Sequence, residues 1–402
     1  MADQTVNELR LEYLPPEILS EIGRCMSLED LKNVSMTSKK MRRSFSRWLF
    51  HSVAVSGNGD KVIYQIAHLL PSMNTEMRQM MMANVKHIRL HVSGPPESYY
   101  YNIRKGQRVS RLPVLLATIL QQVENVASID LKTYDYLSKT DHEKLDELFS
   151  RLPVYTRLYS LTLGTKKDMN RLINKSARNS IKYLTLTDDS GNSLLKIAKL
   201  KCPDLRRLVL RKDFRGIYNP ARESLEAVGK DVSKAFPELE WLVIDYDWVT
   251  IRDKYTDGDL KGLLGPLAHA VNGMPELERL CVRLSSGLRC KMNIAFLTSC
   301  LTSFLAPDEI LEEVDYVERE LESGMAHIAE IAPNLKQICF TAFDSSAIRR
   351  DNDHWRGPVF RDYRMPTPPF MYRGVRNTES AKMSLERLPV PGRHEFPRGL
   401  IY

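Results

Sequence analysis

Residues 202–210 read CPDLRRLVL, and this stretch decides the fold class. Pro203 cannot continue a helix and pushes the residue before it toward an extended conformation, so the chain arrives as a helix and leaves as a strand. The strand carries an aliphatic residue, two variable residues, an aliphatic, one variable residue and an aliphatic: Leu205, Leu208, Leu210. The same pattern occurs as VKHIRL (85–90), VASIDL (126–131), LYSLTL (158–163), IKYLTL (181–186), LEWLVI (239–244), LERLCV (277–282) and LKQICF (335–340). Eight copies in one chain predict a repeated strand.

Four copies carry the proline, as CPDL, FPEL, MPEL and APNL, with Pro203, Pro237, Pro275 and Pro333 two residues before the first aliphatic. Segments ahead of them have helical periodicity, with Leu225, Val228, Val232 and Phe236 in one and Leu260, Leu263, Leu264, Leu267 and Val271 in another. Strands alternating with helices predict an α/β fold with parallel strands. Residues 56–345 resemble a leucine-rich-repeat array, in which stacked units bury their apolar sides against one another. The fourth motif positions (Ile88, Ile129, Leu161, Leu184, Leu208, Leu242, Leu280, Ile338) are spaced 41, 32, 23, 24, 34, 38 and 58 residues apart. Only the two shortest intervals fit the usual period. The asparagine that closes a standard repeat is replaced by Asp189, Asp213, Asp247 and Ser285, so the expectation is an irregular solenoid, with a general α/β sheet as its competitor.

Side chains alternate along a strand, so residues between the aliphatics form an open face. It would present His87, Arg89, Ser128, Asp130, Thr162, Tyr183, Thr185, Arg207, Arg211, Trp241, Asp245, Arg279, Arg283 and Gln337. Arg207, Arg211, Arg279 and Arg283 flank Trp241 on successive units. Arginine forks suit carboxylates and phosphates, and tryptophan is a rigid anchor. These five are the candidate target-binding residues, for an acidic or phosphorylated protein. A solvated strand face with no dominant contact is the alternative.

The N-terminal residues 13–50, YLPPEILSEIGRCMSLEDLKNVSMTSKKMRRSFSRWLF, predict three short helices. Pro15-Pro16 suits a first helical turn, and Leu14, Ile18, Leu19, Ile22, Cys25 and Met26 around and after it fall at helical spacing. Ser27 with Asp30 is a capping pattern for a second helix carrying Leu28, Leu31 and Val34. Thr37-Ser38 restarts the chain, and Met41, Phe45, Trp48 and Leu49 line a third. About 40 residues without metal or disulfide seldom fold alone, and there are more apolar positions here than a minimal core hides, so some should face a partner.

This segment resembles an F-box of the fungal type, assigned to residues 10–55. The matching residues are Leu14-Pro15, Glu17, Ile18, Ile22, Leu28, Asp30-Leu31, Val34, Ser38-Lys39-Lys40, Arg42 and Trp48-Leu49. Thr37 and Met41 depart from the pattern, and Gly23 lies inside the first helix at a propensity cost of about 1 kcal/mol relative to alanine. The resemblance implies docking on a Skp-family adaptor through Leu14, Pro15, Ile18, Ile22, Leu28, Leu31 and Val34, and through it on a cullin scaffold. It implies a non-catalytic, substrate-recognition subunit of a Skp-cullin-F-box ubiquitin ligase, with no cofactor, whose repeat domain presents a target. A helical cap over the first strand is the competing reading.

The rest of the chain agrees with a binding role. It contains no Gly-rich phosphate loop, no zinc-protease motif and no nucleophile elbow, so no catalytic residue is assigned. Cys25, Cys202, Cys281, Cys290, Cys300 and Cys339 form no close pair and read as reduced thiols, not as metal ligands. No long apolar run and no leader-like start occur, which predicts a cytoplasmic or nuclear protein without a membrane. Net charge is +8, and residues 349–402 hold eleven Lys or Arg against six Asp or Glu, so the excess is concentrated there. That tail, 346–402 with seven of the 21 prolines and Trp355, Phe360, Tyr363, Phe370 and Tyr372, is expected to be partly extended or disordered. Residues 307–324 predict an acidic amphipathic helix. The rival function is a basic α/β-repeat scaffold or nucleic-acid binder, disfavoured because no basic run is interleaved with aromatics.

Overall fold

Each of the eight aliphatic motifs is a strand, and each strand begins at the motif's third residue. In the computed structural model the described residues are 11–70, 75–94, 111–133, 137–164, 170–187, 193–212, 225–246, 260–283, 319, 321–341, 371–376 and 383–388. The chain falls into two compact units, Met1–Ser180 and Ile181–Tyr402.

The first unit opens with helices α1 (Pro16–Cys25), α2 (Leu28–Thr37) and α3 (Lys39–Leu49). After them come β1 (Ser52–Asn58), α4 (Gly59–Leu69), α5 (Thr75–Asn84), β2 (His87–Gly94), α6 (Leu112–Gln122), β3 (Ser128–Lys132), α7 (Lys139–Phe149), β4 (Ser160–Leu163) and the short α8 (Asn170–Asn174). Strands β1 to β4 pair in chain order and all run parallel. The motif's fourth residues lie opposite one another, Ile88 against Ile129 and Ile129 against Leu161.

The second unit holds β5 (Tyr183–Thr187), α9 (Ser193–Lys201), β6 (Arg207–Lys212), α10 (Leu225–Ala235), β7 (Trp241–Tyr246), α11 (Leu260–Val271), β8 (Arg279–Arg283), helix α12 (321–331) and β9 (Gln337–Thr341). These strands are also parallel and in order, with Leu184, Leu208, Leu242, Leu280 and Ile338 in one register row. In all eight motifs the first, fourth and sixth side chains are at most 5% exposed, so they are the core. Burying one such side chain stabilises by about 1.5–3 kcal/mol.

The prolines do what their position requires. After each helix the residue before proline accepts a turn hydrogen bond from the first motif leucine: Leu205 N to Cys202 O, Leu239 N to Phe236 O, Leu277 N to Met274 O and Leu335 N to Ala332 O, at 3.1–3.2 Å. One carbonyl below each strand then accepts two N–H groups from the next unit, as Glu240 O does from Glu278 and Arg279. This fork recurs at His51, Lys86, Ala127, Lys182, Arg206 and Glu278, and it sets the register.

Two elements lie outside the sequence expectation. Strand β1 follows the same rule with Phe50, Val53 and Val55, an aromatic standing in the first place, and Val53 pairs with Ile88. Within the segment read as a tail, β10 (Met371–Arg376) and β11 (Met383–Leu388) form an antiparallel hairpin. β10 adds antiparallel to β9, and Arg376 donates to Leu335 O at 2.9 Å and Ala329 O at 2.8 Å, tying the hairpin to the end of α12. The hairpin covers an edge that would otherwise offer unpaired backbone groups. Asp189, Asp213, Asp247, Ser285, residues 307–318, Trp355, Phe360, Tyr363 and Phe370 lie outside the described residues.

Leu208 is fully buried in the central row of the second unit, so Leu208→Ala should cost about 2–5 kcal/mol, read as a lower urea midpoint. In the first unit the buried Tyr155 hydroxyl donates to Leu120 O at 2.9 Å. Tyr155→Phe should therefore cost about 1 kcal/mol by the same measurement.

Candidate functional site

The N-terminal helices are set by their caps. Pro16 occupies the first turn of α1, Ser27 Oγ accepts from Asp30 N at 3.2 Å, and Ser38 Oγ accepts from Met41 N at 3.1 Å. Their shared core is Leu19, Leu31, Met41 and Phe45, with Leu14, Ile22, Met26, Val34, Trp48 and Leu49 packed partly against it. Of the seven residues expected to meet an adaptor, Pro15, Ile18 and Leu28 are exposed. Leu14, Ile22 and Val34 are half-buried. Leu31 is only 5% exposed and belongs inside, so its part is to pack the helices rather than to touch a partner. The amphipathic pattern alone did not separate these roles, because the segment carries more apolar residues than one inward stripe.

Nine large hydrophobic side chains are exposed among the described residues, and five of them, Leu11, Tyr13, Ile18, Leu28 and Met36, lie within residues 11–36. Ile18 is 48% exposed, Leu28 56%, Met36 68% and Tyr13 72%. Exposed apolar residues concentrated in this way are a candidate interaction surface, whereas scattered ones need no explanation. Sequence reasoning missed Tyr13 and Met36, although Met36 follows Leu28 by eight residues on the same helical stripe.

Gly23, unfavourable by propensity, has a packing reason. A Cβ there would lie 2.4 Å from Trp48 Cδ1 and 3.0 Å from Phe45 Cδ1, so only glycine lets α1 close on α3.

The open face of the first unit is polar and internally compensated. Asp130, 5% exposed, has Arg89 Nε at 3.3 Å, His91 Nε2 at 2.8 Å and Lys132 Nζ at 3.8 Å. Burial by itself would raise the Asp130 carboxyl, but the His91 contact and the charges of Lys132, His91 and Arg89 outweigh it and hold it below the usual range. Beside it the His87 ring lies tilted against His51 with centres 4.7 Å apart, and burial, reinforced by His51, lowers the His87 imidazole to about 4.

The second unit differs. Tyr183, Arg207, Trp241, Arg279 and Gln337 stand in one register row across β5 to β9. The Arg207 guanidinium carbon lies 4.5 Å from the Tyr183 ring centre and 3.7 Å from that of Trp241, while Arg279 lies 4.3 Å from Trp241. No carboxylate occupies this row. Beside it on the same face Val209, Val243, Cys281 and Cys339 form, with Trp241, a buried apolar strip. Arg211, expected to join the group, sits nearer the strand ends and pairs with Asp245, Nε to Oδ2 at 3.2 Å. Arg283 is placed only by its backbone, opposite Thr341 on β9. Trp241 is 8% exposed and stacked between arginines from both flanking strands, so it orders them instead of offering a free anchor.

Burial raises the thiols of Cys202 and Cys339 to about 12, and no cluster of three or more metal-ligating side chains occurs among the described residues. No helix of the described residues is long and apolar enough to cross a membrane. The chain matches no protein-family model and no curated protein sequence.

Gly23→Ala, normally stabilising in a helix, should destabilise the N-terminal helices here, read as a lower melting temperature. The His87 proton adds a pH effect. An unfolded imidazole titrates near 6.5 and the folded one near 4, so the unfolded state takes up the proton first. Stability is full above about pH 6.5 and is lost as pH falls toward 4; His87→Gln should flatten that decline in urea titrations across the range.

Proposed function

We propose that this chain is the substrate-recognition subunit of a Skp-cullin-F-box ubiquitin ligase. The carrying observation is the exposed apolar edge of α1 and α2, where Ile18 and Leu28 stand out beside a helical core that already contains Leu19, Leu31, Met41 and Phe45. A helical segment this small that keeps its core and still leaves an apolar edge in water is built to meet a second polypeptide. The capped helices and the Leu-Pro start follow the F-box pattern. By that resemblance the partner is the Skp adaptor, with Pro15, Ile18 and Leu28 as direct contacts and Leu14, Ile22 and Val34 at the edge of the patch.

The strand-bearing remainder is read as an irregular leucine-rich-repeat-like solenoid. Eight motif copies with equivalent residues in register support this, and the unequal intervals are insertions between repeats. Its open face would hold the target. Bond formation is left to another subunit, and the chain acts by proximity, raising the effective concentration of a target lysine near a charged conjugating enzyme. The nucleic-acid alternative loses ground on the second unit's face, because Trp241 is buried and has arginines from both flanking strands over its ring, so it does not offer a base an open stacking face.

Co-purification with the Skp adaptor tests the proposal. The intact chain should retain it, and Ile18→Ala/Leu28→Ala should weaken retention by about 100-fold or more with an unchanged melting temperature, since both residues are exposed. Leu31→Ala should instead lower the melting temperature. An intact, folded chain that fails to bind the adaptor would sink the assignment.

A further inference from the structure

We infer that the strand-entry rim of the first unit, formed by Arg47, His51, Lys86 and Arg157, is a binding site for a phosphomonoester group carried on a protein segment. This rests on reading the chain as one that holds a target, and it names where a phosphorylated target would be gripped.

Backbone register brings these residues together. His51, Lys86, Ala127 and Tyr159 each stand immediately before a strand, β1 to β4, and the forked carbonyls hold them side by side. His51 O accepts from Lys86 N and His87 N, Lys86 O from Ala127 N and Ser128 N, and Ala127 O from Tyr159 N and Ser160 N. Arg47 joins at the His51 end from the last turn of α3, its guanidinium carbon 5.2 Å from the Trp48 ring centre, and the Trp48 and His51 rings lie 6.3 Å apart. Arg157 joins at the other end, two residues before Tyr159 on the chain entering β4.

The charge of this rim is not compensated as it is in the second unit. There the residues before the strands are Lys182, Arg206, Glu240, Glu278 and Lys336, and every cation among them has an acid. Lys182 lies 3.4 Å from Asp204, Arg206 lies 3.4 Å from Glu240 and 3.6 Å from Glu238, and Lys336 lies 2.5 Å from Glu278. In the first unit Arg47, His51, Lys86 and Arg157 form no ion pair with the described residues, and Lys86 Nζ donates to Asn125 O at 3.4 Å. Burial, then Arg157 and Arg47, pulls the Lys86 ammonium below its usual range, and burial, then Lys86 and Arg47, does the same to the His51 imidazole. An anion seated among these groups relieves their repulsion as well as adding attraction.

The arrangement also selects the anion. Arg47 and Arg157 are exposed, while His51 and Lys86 are half-buried between them, so the positive charge is focused on one place. A focus of charge favours the ligand that carries most charge on one group. A phosphomonoester brings about −1.5 to −2 and three acceptor oxygens, against a single charge for a carboxylate or a nucleic-acid phosphodiester. The rim also adjoins the open face of the sheet, because the His51 ring lies 4.7 Å from that of His87, the first residue of β2. A peptide lying on that face can therefore deliver a phosphorylated side chain to the rim.

The test is fluorescence anisotropy of the full chain with labelled Gly/Ser peptides of one sequence whose central residue is phosphoserine, serine or glutamate. The phosphoserine peptide should bind roughly ten-fold more tightly than either other. Lys86→Gln/Arg157→Gln should abolish that preference, and Arg157→Gln alone, at an exposed position, should already reduce it to roughly three-fold. Lys182→Gln/Lys336→Gln, which removes the same charge from the compensated rim, should keep it. Equal binding of the three peptides, a preference that survives Lys86→Gln/Arg157→Gln and Arg157→Gln, or an equal loss in Lys182→Gln/Lys336→Gln would overturn the inference. So would stronger displacement of the phosphopeptide by duplex DNA than by unlabelled phosphopeptide, which would make the rim a nucleic-acid contact. Equal displacement by free phosphoserine would overturn it too, since the ligand would then be a small phosphate ester. Melting temperatures show that the variants fold. Adaptor co-purification by the same preparations separates the two claims: a chain that retains the adaptor without a phosphoserine preference refutes the rim site alone, and the converse refutes the ligase role alone.

Discussion

The constraint on which everything else depends is the register of the aliphatic rows. Once Leu184, Leu208, Leu242, Leu280 and Ile338 must lie opposite one another to close the core, every intervening residue is fixed on the other face. A slip of one residue would exchange the two faces, so the arrangement is strongly specified. The carbonyl forks below the strands and the turns after each proline enforce the same alignment from the backbone.

From that alignment come two unlike faces. In the first unit the row through Arg89 and Asp130 neutralises itself around a buried carboxylate. In the second, the row through Tyr183, Arg207, Trp241 and Arg279 contains cations and rings without an acid. A self-compensated face contributes to folding, while a row carrying charge of a single sign favours groups of the opposite sign near it.

The parallel α/β character was legible because the motif carries its own period and its own stop signal, so β2 to β9 could be read directly. Strand β1 was not, since Phe50 stands where an aliphatic was sought. The β10–β11 hairpin was hidden by the proline-rich composition around MYRGVR and MSLERL, and only the uncovered edge of β9 explains it. In the helical segment the caps at Ser27 and Ser38 were readable, but the direction of Leu31 and the need for Gly23 were not. Both depend on where Trp48 and Phe45 come to rest. Likewise, sequence spacing put arginines near Trp241 without showing that they lie over its ring from both flanking strands.

The central claim is that the apolar edge of α1 and α2 is completed by a second polypeptide. Calorimetric titration of this chain with purified Skp adaptor at several temperatures tests it most directly. Burial of that edge predicts saturable one-to-one binding with a negative heat-capacity change, the signature of apolar surface leaving water. No binding heat at any temperature, or binding with no heat-capacity change, would contradict it.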